Sequence, residues 1–222
     1  MLSIYQLKPA FQNLLRPSVK WLFRIGITAN QVTLLTMFIS VGLALFLYVY
    51  FLSHPPHWVL LLLPLWMLIR MAFNAVDGML AREFNQQSKL GAFYNELCDV
   101  ISDTALYSCF IAFGFIQSEG LLLIVFLAIL TEYAGVMAPL VGIERRYDGP
   151  MGKSDRAFWF GLLAVIIVIF PIFSSHNIYL NYICNGLLFF IGILLCLTLY
   201  NRIKNSLTHN DNTDFPNNLK NN

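Results

Sequence analysis

Three aspartates, Asp77, Asp99 and Asp103, lie in or beside strongly apolar sequence, together with two asparagines, Asn74 and Asn95. Asn74 and Asp77 are three residues apart, while Asn95, Asp99 and Asp103 are spaced by four. Residues at i, i+3 and i+4 share one face of a helix. Each group therefore forms a polar stripe, and two such stripes meeting across the short stretch 82–89 would enclose a polar pocket. An ionisable group inside a membrane span is costly and marks a functional site by default. Several carboxylates at one depth repel each other unless a cation or protons intervene. A divalent metal facing a phosphate answers that need, because Mg2+ binds a few carboxylates together with phosphate oxygens. Gly78, Ala81, Gly91 and Ala92 belong to the same stretch. Small residues let membrane helices approach or leave room for a ligand, and both readings stand.

The elements that must carry these stripes are membrane helices. Of the 222 residues, 58% are hydrophobic and 12% charged, against about 25% charged in ordinary soluble domains. No charged residue occurs between Arg24 and Arg70. A helix needs about 20 apolar residues to cross the hydrocarbon. That length predicts six spans, at 31–52, 58–78, 90–114, 120–143, 156–174 and 179–200. The breaks are "SHPPH" at 53–57, "REFNQQSK" at 82–89, "IQSEG" near Gly120, "ERRYDGPMGKSDR" at 144–156 and "SSHN" at 174–177. Pro55 and Pro56 cannot continue a helix. The expected fold class is an all-α integral membrane protein, six transmembrane helices preceded by an N-terminal amphipathic interfacial helix. The expected domains are an interfacial segment over 1–29, a membrane domain over 30–201 and a polar tail over 202–222. The Asn-rich end of that tail is expected to be disordered.

Basic residues set the orientation. They precede the first span, fall in the 82–89 and 144–156 loops and follow the last span, while the three opposite loops carry no Lys or Arg. The positive-inside rule then puts both termini and the polar stripes in the cytoplasm, in a bacterial inner membrane. Lys8, Arg16, Lys20 and Arg24 recur every four or eight residues among apolar ones. This pattern fits a helix lying on the leaflet or a plain basic leader, with Pro17 interrupting it in either case. A net charge of +2 is too small to point to a nucleic-acid partner. Cys98, Cys109, Cys184 and Cys196 lie in apolar stretches without CxxC spacing, as buried reduced thiols do.

The stretch from Asn74 to Asp99 resembles the signature of the CDP-alcohol phosphatidyltransferase family, D-x-x-D-G-x-x-A-R followed after about eight residues by G-x-x-x-D-x-x-x-D. Asp77, Gly78, Ala81, Arg82, Gly91 and Asp99 fall on that pattern. The six-span layout, with the motif crossing spans two and three, fits as well. The resemblance implies an enzyme that binds a CDP-linked lipid through Mg2+ or Mn2+ held at the four acidic positions. In such an enzyme the acceptor hydroxyl attacks the phosphorus attached to the lipid alcohol, and CMP leaves. It implies metal positions at Asn74, Asp77, Asn95 and Asp99 and nucleotide contacts at Asp77, Gly78, Ala81, Arg82 and Gly91; Asp103, one turn beyond Asp99 on the same face, is expected to compensate in part for the missing acids. It also implies a homodimer. Asp99 is the expected general base, being the carboxylate left in the second acidic pair.

Two of the four acidic positions depart from the pattern. Asn74 and Asn95 bring an amide oxygen but no charge, which weakens a two-metal site. Glu96 is a weaker substitute, since it points about 100° away from Asn95 around an ideal helix. A catalytically weak or inactive CDP-lipid scaffold is therefore the alternative to an active transferase. A transporter is disfavoured, because paired broken helices and an inverted repeat are missing.

The second dense polar patch is the 144–156 loop. Arg145, Arg146, Lys153 and Arg156 either set topology and attract anionic headgroups or bind a phosphorylated or acidic acceptor. Gly149, Pro150 and Gly152 point to an ordered turn. "GPMGKS" is not a P-loop, because Tyr147 stands where glycine is required. Glu132, in the middle of the fourth span, is expected to be protonated or paired, with Arg70 as one candidate partner. Asn181 and Asn185 are expected to join helices.

Overall fold

The structure, a computed structural model, describes residues 4–173 and 177–208, with side chains over 11–172 and 178–208. Among the described residues seven α-helices follow one another: α1 (Ile4–Arg24), α2 (Ala29–Phe51), α3 (Leu62–Glu83), α4 (Lys89–Ser108), α5 (Ser118–Met137), α6 (Lys153–Phe173) and α7 (Asn177–Thr208). Three short 3-10 turns extend α3, α4 and α5 at one end each. No strand occurs among the described residues. The Asn-rich end of the tail lies outside the described residues.

Among the described residues five segments, containing α2, α3, α5, α6 and α7, are long and apolar enough to cross a membrane. The segment expected at 90–114 forms α4 and its 3-10 extension. It carries Glu96, Asp99 and Asp103 within two turns, so length and composition single out five candidate crossings among the described residues and leave the sixth expected span unconfirmed. Large apolar side chains such as Phe38, Leu45, Ile172 and Phe189 stand on the outer surface. Hydrocarbon accepts them at no penalty, which accords with a membrane location.

Local sequence sets the helix boundaries. Thr28 and Gln31 form a capping box at the start of α2, which satisfies two orphan backbone donors reciprocally. The Ser88 hydroxyl accepts from the Gly91 N–H at 2.9 Å to start α4. At the end of α3, Asn85 takes φ 55°, and the Gln86 N–H returns to the Ala81 carbonyl at 3.0 Å. This is the Schellman ending, in which Asn substitutes for the usual glycine. The turn is tight, and only five residues separate α3 from α4.

α4 packs along α2, and α7 along α5, while α3 contacts both α2 and α6. The main core gathers Leu47, Leu60, Leu63, Leu106, Phe110, Phe160, Leu163, Ile167 and Ile191. Within it the Tyr107 and Phe160 rings stack with centroids 3.9 Å apart. A smaller cluster of Val19, Ala29, Val32, Val76, Met79 and Leu80 fastens α1 to the ends of α2 and α3. There Arg16 also pairs with Glu83 at 3.0 Å.

Several expectations change. α1 runs through Pro17 without a break; loss of one backbone hydrogen bond is offset by docking Val19 into the small cluster. α7 continues to Thr208, past the expected boundary at 201, because Arg202 and Ser206 are buried against the bundle. Cys98, Cys109 and Cys184 are buried, but Cys196 is exposed on α7. Asn185 joins helices by accepting from the Gln117 N–H at 2.9 Å and donating to the Phe115 carbonyl at 2.9 Å.

Candidate active site

Where α2, α3 and α4 converge, a cleft of about 700 Å3 opens. Its walls contain Asn74, Asp77, Gly78, Ala81 and Arg82 from α3, Gly91 and Asn95 from α4, and Asn30 and Thr33 from α2. Both motif halves thus meet in one cavity. Asp77 is buried, and its Oδ2 accepts from the Thr33 hydroxyl at 2.7 Å. That donor fixes the carboxylate rotamer and leaves lone pairs free for a ligand. Gln86 closes the floor by accepting from the Ala29 N–H at 2.7 Å. Arg82 and Lys89 line the cleft and, among the described residues, neither is in an ion pair.

The small residues have a spatial reason. A Cβ on Gly91 would stand 2.7 Å from the Asn30 Oδ1, so a larger side chain would push Asn30 into the cleft. A Cβ on Gly78 would lie 3.1 Å from the Arg82 guanidinium. Gly78 therefore lets Arg82 fold back along its own helix beside the cavity.

Asp99 follows Asn95 by one turn but faces a second polar system. Its Oδ1 accepts from Arg70 Nη2 at 3.1 Å, and its Oδ2 is paired with the Lys153 ammonium. Arg70 also pairs with Asp103, which in turn takes Arg156 Nη2 at 3.1 Å. Arg156 continues to Glu132 at 2.9 Å. Glu132 accepts further from Arg145 at 3.1 Å and Arg202 at 3.4 Å, and Arg145 pairs with Glu96. A chain of alternating charges therefore crosses from α3 through α4, α5 and α6 to α7. Five cations face four carboxylates. Each charge has opposite partners, which is the condition under which charges survive away from water.

This network corrects three expectations. Asp103 is buried, and both its oxygens are engaged by Arg70 and Arg156; it is a counter-ion for guanidinium groups, not a compensating acid facing the cleft. Arg156 has 1% of its side chain exposed, so it holds the bundle together instead of meeting an acceptor. Glu132 pairs with Arg145, Arg156 and Arg202 and not with Arg70, which lies against α4. Arg146 is turned to Asp148 at 2.7 Å. Arg145 and Lys153 keep part of their side chains in the open.

The 144–156 loop is ordered by the helices around it. The Arg146 N–H donates to the Gly135 carbonyl at 3.2 Å, Arg202 Nε to the Asp148 carbonyl at 3.2 Å, and the Met151 N–H to the Thr198 hydroxyl at 2.9 Å. Gly149 has φ 115°, and a Cβ there would stand 2.6 Å from the Thr198 methyl. The Gly152 N–H reaches Asp155 at 3.0 Å, and Lys153 follows as the first residue of α6. The loop's glycines thus place the Lys153 ammonium on Asp99.

The cleft offers hard oxygen donors, the Asp77 carboxylate and the Asn74 and Asn95 amide oxygens. These fit a divalent cation that shares its remaining positions with phosphate oxygens and water. Among the described residues, no three His, Cys, Asp or Glu side chains form a metal-binding group. That follows from amides at two of the four acid positions. Sequence reasoning missed Thr33, Asn30 and Arg202. The capping box beginning at Thr28 locates the first two near a helix start, but nothing in the sequence says which helix they face.

Comparison with known proteins gives three results. The family model for CDP-alcohol phosphatidyltransferase matches residues 26–198. The inner membrane protein YnbA of Escherichia coli (strain K12) is 44% identical over 206 residues, covering 93% of this chain and 97% of that protein. The phosphatidylinositol phosphate synthase PgsA1 of Mycobacterium tuberculosis has the same fold, at a TM-score of 0.68 and 21% identity. Its structure with CDP-DAG bound is matched over 86% of this chain and 92% of that one. A second structure of it, in complex with manganese and citrate, is matched over 86% and 88% with the same TM-score and identity.

Proposed function

The chain belongs to the CDP-alcohol phosphatidyltransferase family, and on that premise we propose that it transfers a phosphatidyl group from CDP-diacylglycerol, or a related CDP-alcohol, to an alcohol acceptor with release of CMP in phospholipid synthesis. The observation that carries the reading is the cleft, in which Asn74, Asp77, Gly78, Ala81, Arg82, Gly91 and Asn95 converge. Asp77, Asn74 and Asn95 would hold the Mg2+ or Mn2+ on which the family depends. The ion, when bound, neutralises the diphosphate and stabilises the departing CMP. The fold relative that carries CDP-DAG in one structure and manganese in another supports both assignments.

The chain's own residues supply the rest. Arg82 and Lys89 offer unpaired positive charge to the diphosphate, and Gly78 and Gly91 keep the cleft open for the nucleotide. Asp99 takes the proton of the attacking hydroxyl. Lys153 and Arg70 hold its two oxygens in place, and the proton leaves as the hydroxyl's bond to phosphorus forms. The new O–P bond replaces the bond to CMP, which leaves with that electron pair. Arg145 and Lys153 are the two loop cations an acceptor would meet, while Arg146 and Arg156 hold the loop. α4, lying along α2, is read as the sixth span. The basic termini and loops support an orientation in which the cleft faces the cytoplasm, and the family resemblance implies a homodimer.

A second reading, a CDP-lipid-binding scaffold, is favoured by the ion pairs on both oxygens of Asp99. One assay separates them. Purified chain is incubated with CDP-diacylglycerol, Mg2+ or Mn2+ and a panel of alcohols, and CMP release is measured. Release that is abolished by chelation and by Asp99→Ala is expected. Retained CDP-lipid binding with no CMP release from any acceptor would refute the transferase.

A further inference from the structure

The cleft and the charge network meet at neighbouring turns of α4, and they are charged in opposite ways. On the cleft side negative charge is scarce. Asp77 is the carboxylate there, and Asn74 and Asn95 contribute neutral oxygens. On the network side positive charge is already installed, because Asp99 is held at one oxygen by Arg70 and at the other by Lys153. Arg70 is locked in place, with its side chain 5% exposed and its other amino group on Asp103. Lys153 is 32% exposed and is seated by a loop fixed to α7 at Thr198 and Arg202.

We infer that the site takes a single divalent cation, on Asp77 with the Asn74 and Asn95 amide oxygens, and that Lys153, seated on Asp99, supplies the positive charge that a second cation would bring. The inference rests on the transferase reading above and specifies its electrostatics. Charge counting supports it. Asn in place of Asp at two positions removes two negative charges, which equals the charge of one divalent ion. A second ion approaching Asp99 would also meet an ammonium and a guanidinium on the same carboxylate, and like charges so placed repel. Lys153 is therefore a positioning residue. It fixes the rotamer of Asp99 and offers its remaining N–H groups towards the phosphoryl oxygens.

The test is a Mn2+ titration of the full chain in detergent with CDP-diacylglycerol present. Free Mn2+ is read by electron paramagnetic resonance, with CMP release assayed in parallel. The wild type is expected to bind one Mn2+ per chain. Lys153→Met combined with Asn95→Asp is expected to bind two and to show the multiline signal of a coupled pair, which a merely structural lysine would not produce. Lys153→Arg is expected to keep one. If the double variant fails gel filtration, Lys153→Gln with Asn95→Asp takes its place. Two Mn2+ per wild-type chain, or a folded double variant that still binds one, overturns the inference while leaving the transferase standing. No Mn2+ bound and no CMP released overturns both.

Discussion

Glu132 is the hub of the buried network, and replacing it by glutamine tests whether that network holds the loop and helices together. Its carboxylate accepts from Arg156 at 2.9 Å, Arg145 at 3.1 Å and Arg202 at 3.4 Å, with only 11% of the side chain exposed. Glutamine keeps the shape but removes the charge and turns an amide N–H2 towards guanidinium donors. The network would then hold five cations against three carboxylates. Breaking a buried pair by removing one partner typically costs about 3–5 kcal/mol. Here each arginine keeps another acceptor: Asp103 for Arg156, Glu96 for Arg145, and the Thr131 and Asp148 carbonyls for Arg202. The loss therefore belongs near the lower end, about 3 kcal/mol. For a chain of this size each kcal/mol shifts the melting temperature by roughly 2–4 °C, so Glu132→Gln should melt about 6–12 °C below the wild type. The assay is thermal denaturation in one detergent, followed by tryptophan fluorescence. Adding Arg202→Met to Glu132→Gln removes an uncompensated cation, and the double variant should lose less than the sum of the singles. A Glu132→Gln protein that melts within about 2 °C of the wild type would refute the reasoning. So would strict additivity with Arg202→Met.

Two further substitutions test the cleft and the loop. Gly149→Ala would place a Cβ 2.6 Å from the Thr198 methyl at a residue with φ 115°. Overpacking alone costs about 1–3 kcal/mol, so a fall in melting temperature and slower CMP release should appear together. Thr33→Val removes the hydroxyl that fixes Asp77 at 2.7 Å. Loss of such an outer partner typically weakens metal binding by roughly 10–100-fold, which a Mn2+ titration would read while the melting temperature stays near that of the wild type.

The sequence by itself determined the helical membrane architecture, the break points and the motif. Each of these is a property of one segment: apolar length, a proline pair, and residues three or four apart on one helix. The same local geometry correctly grouped Asn74 with Asp77, and it correctly directed Glu96 away from Asn95, where Arg145 meets it. It could not tell that Asp103, on the same sequence stripe as Asn95 and Asp99, would be claimed by Arg70 and Arg156. Nor could it tell that Glu132 would meet Arg202, 70 residues away, or that Thr33 would secure Asp77. Helical periodicity fixes which side chains share a face. Which helix that face meets depends on how all seven pack, and a buried charge takes the nearest opposite charge that packing provides. The Thr33-bound, cleft-lining position of Asp77 and the lysine-bound state of Asp99 were therefore decided only by the tertiary structure.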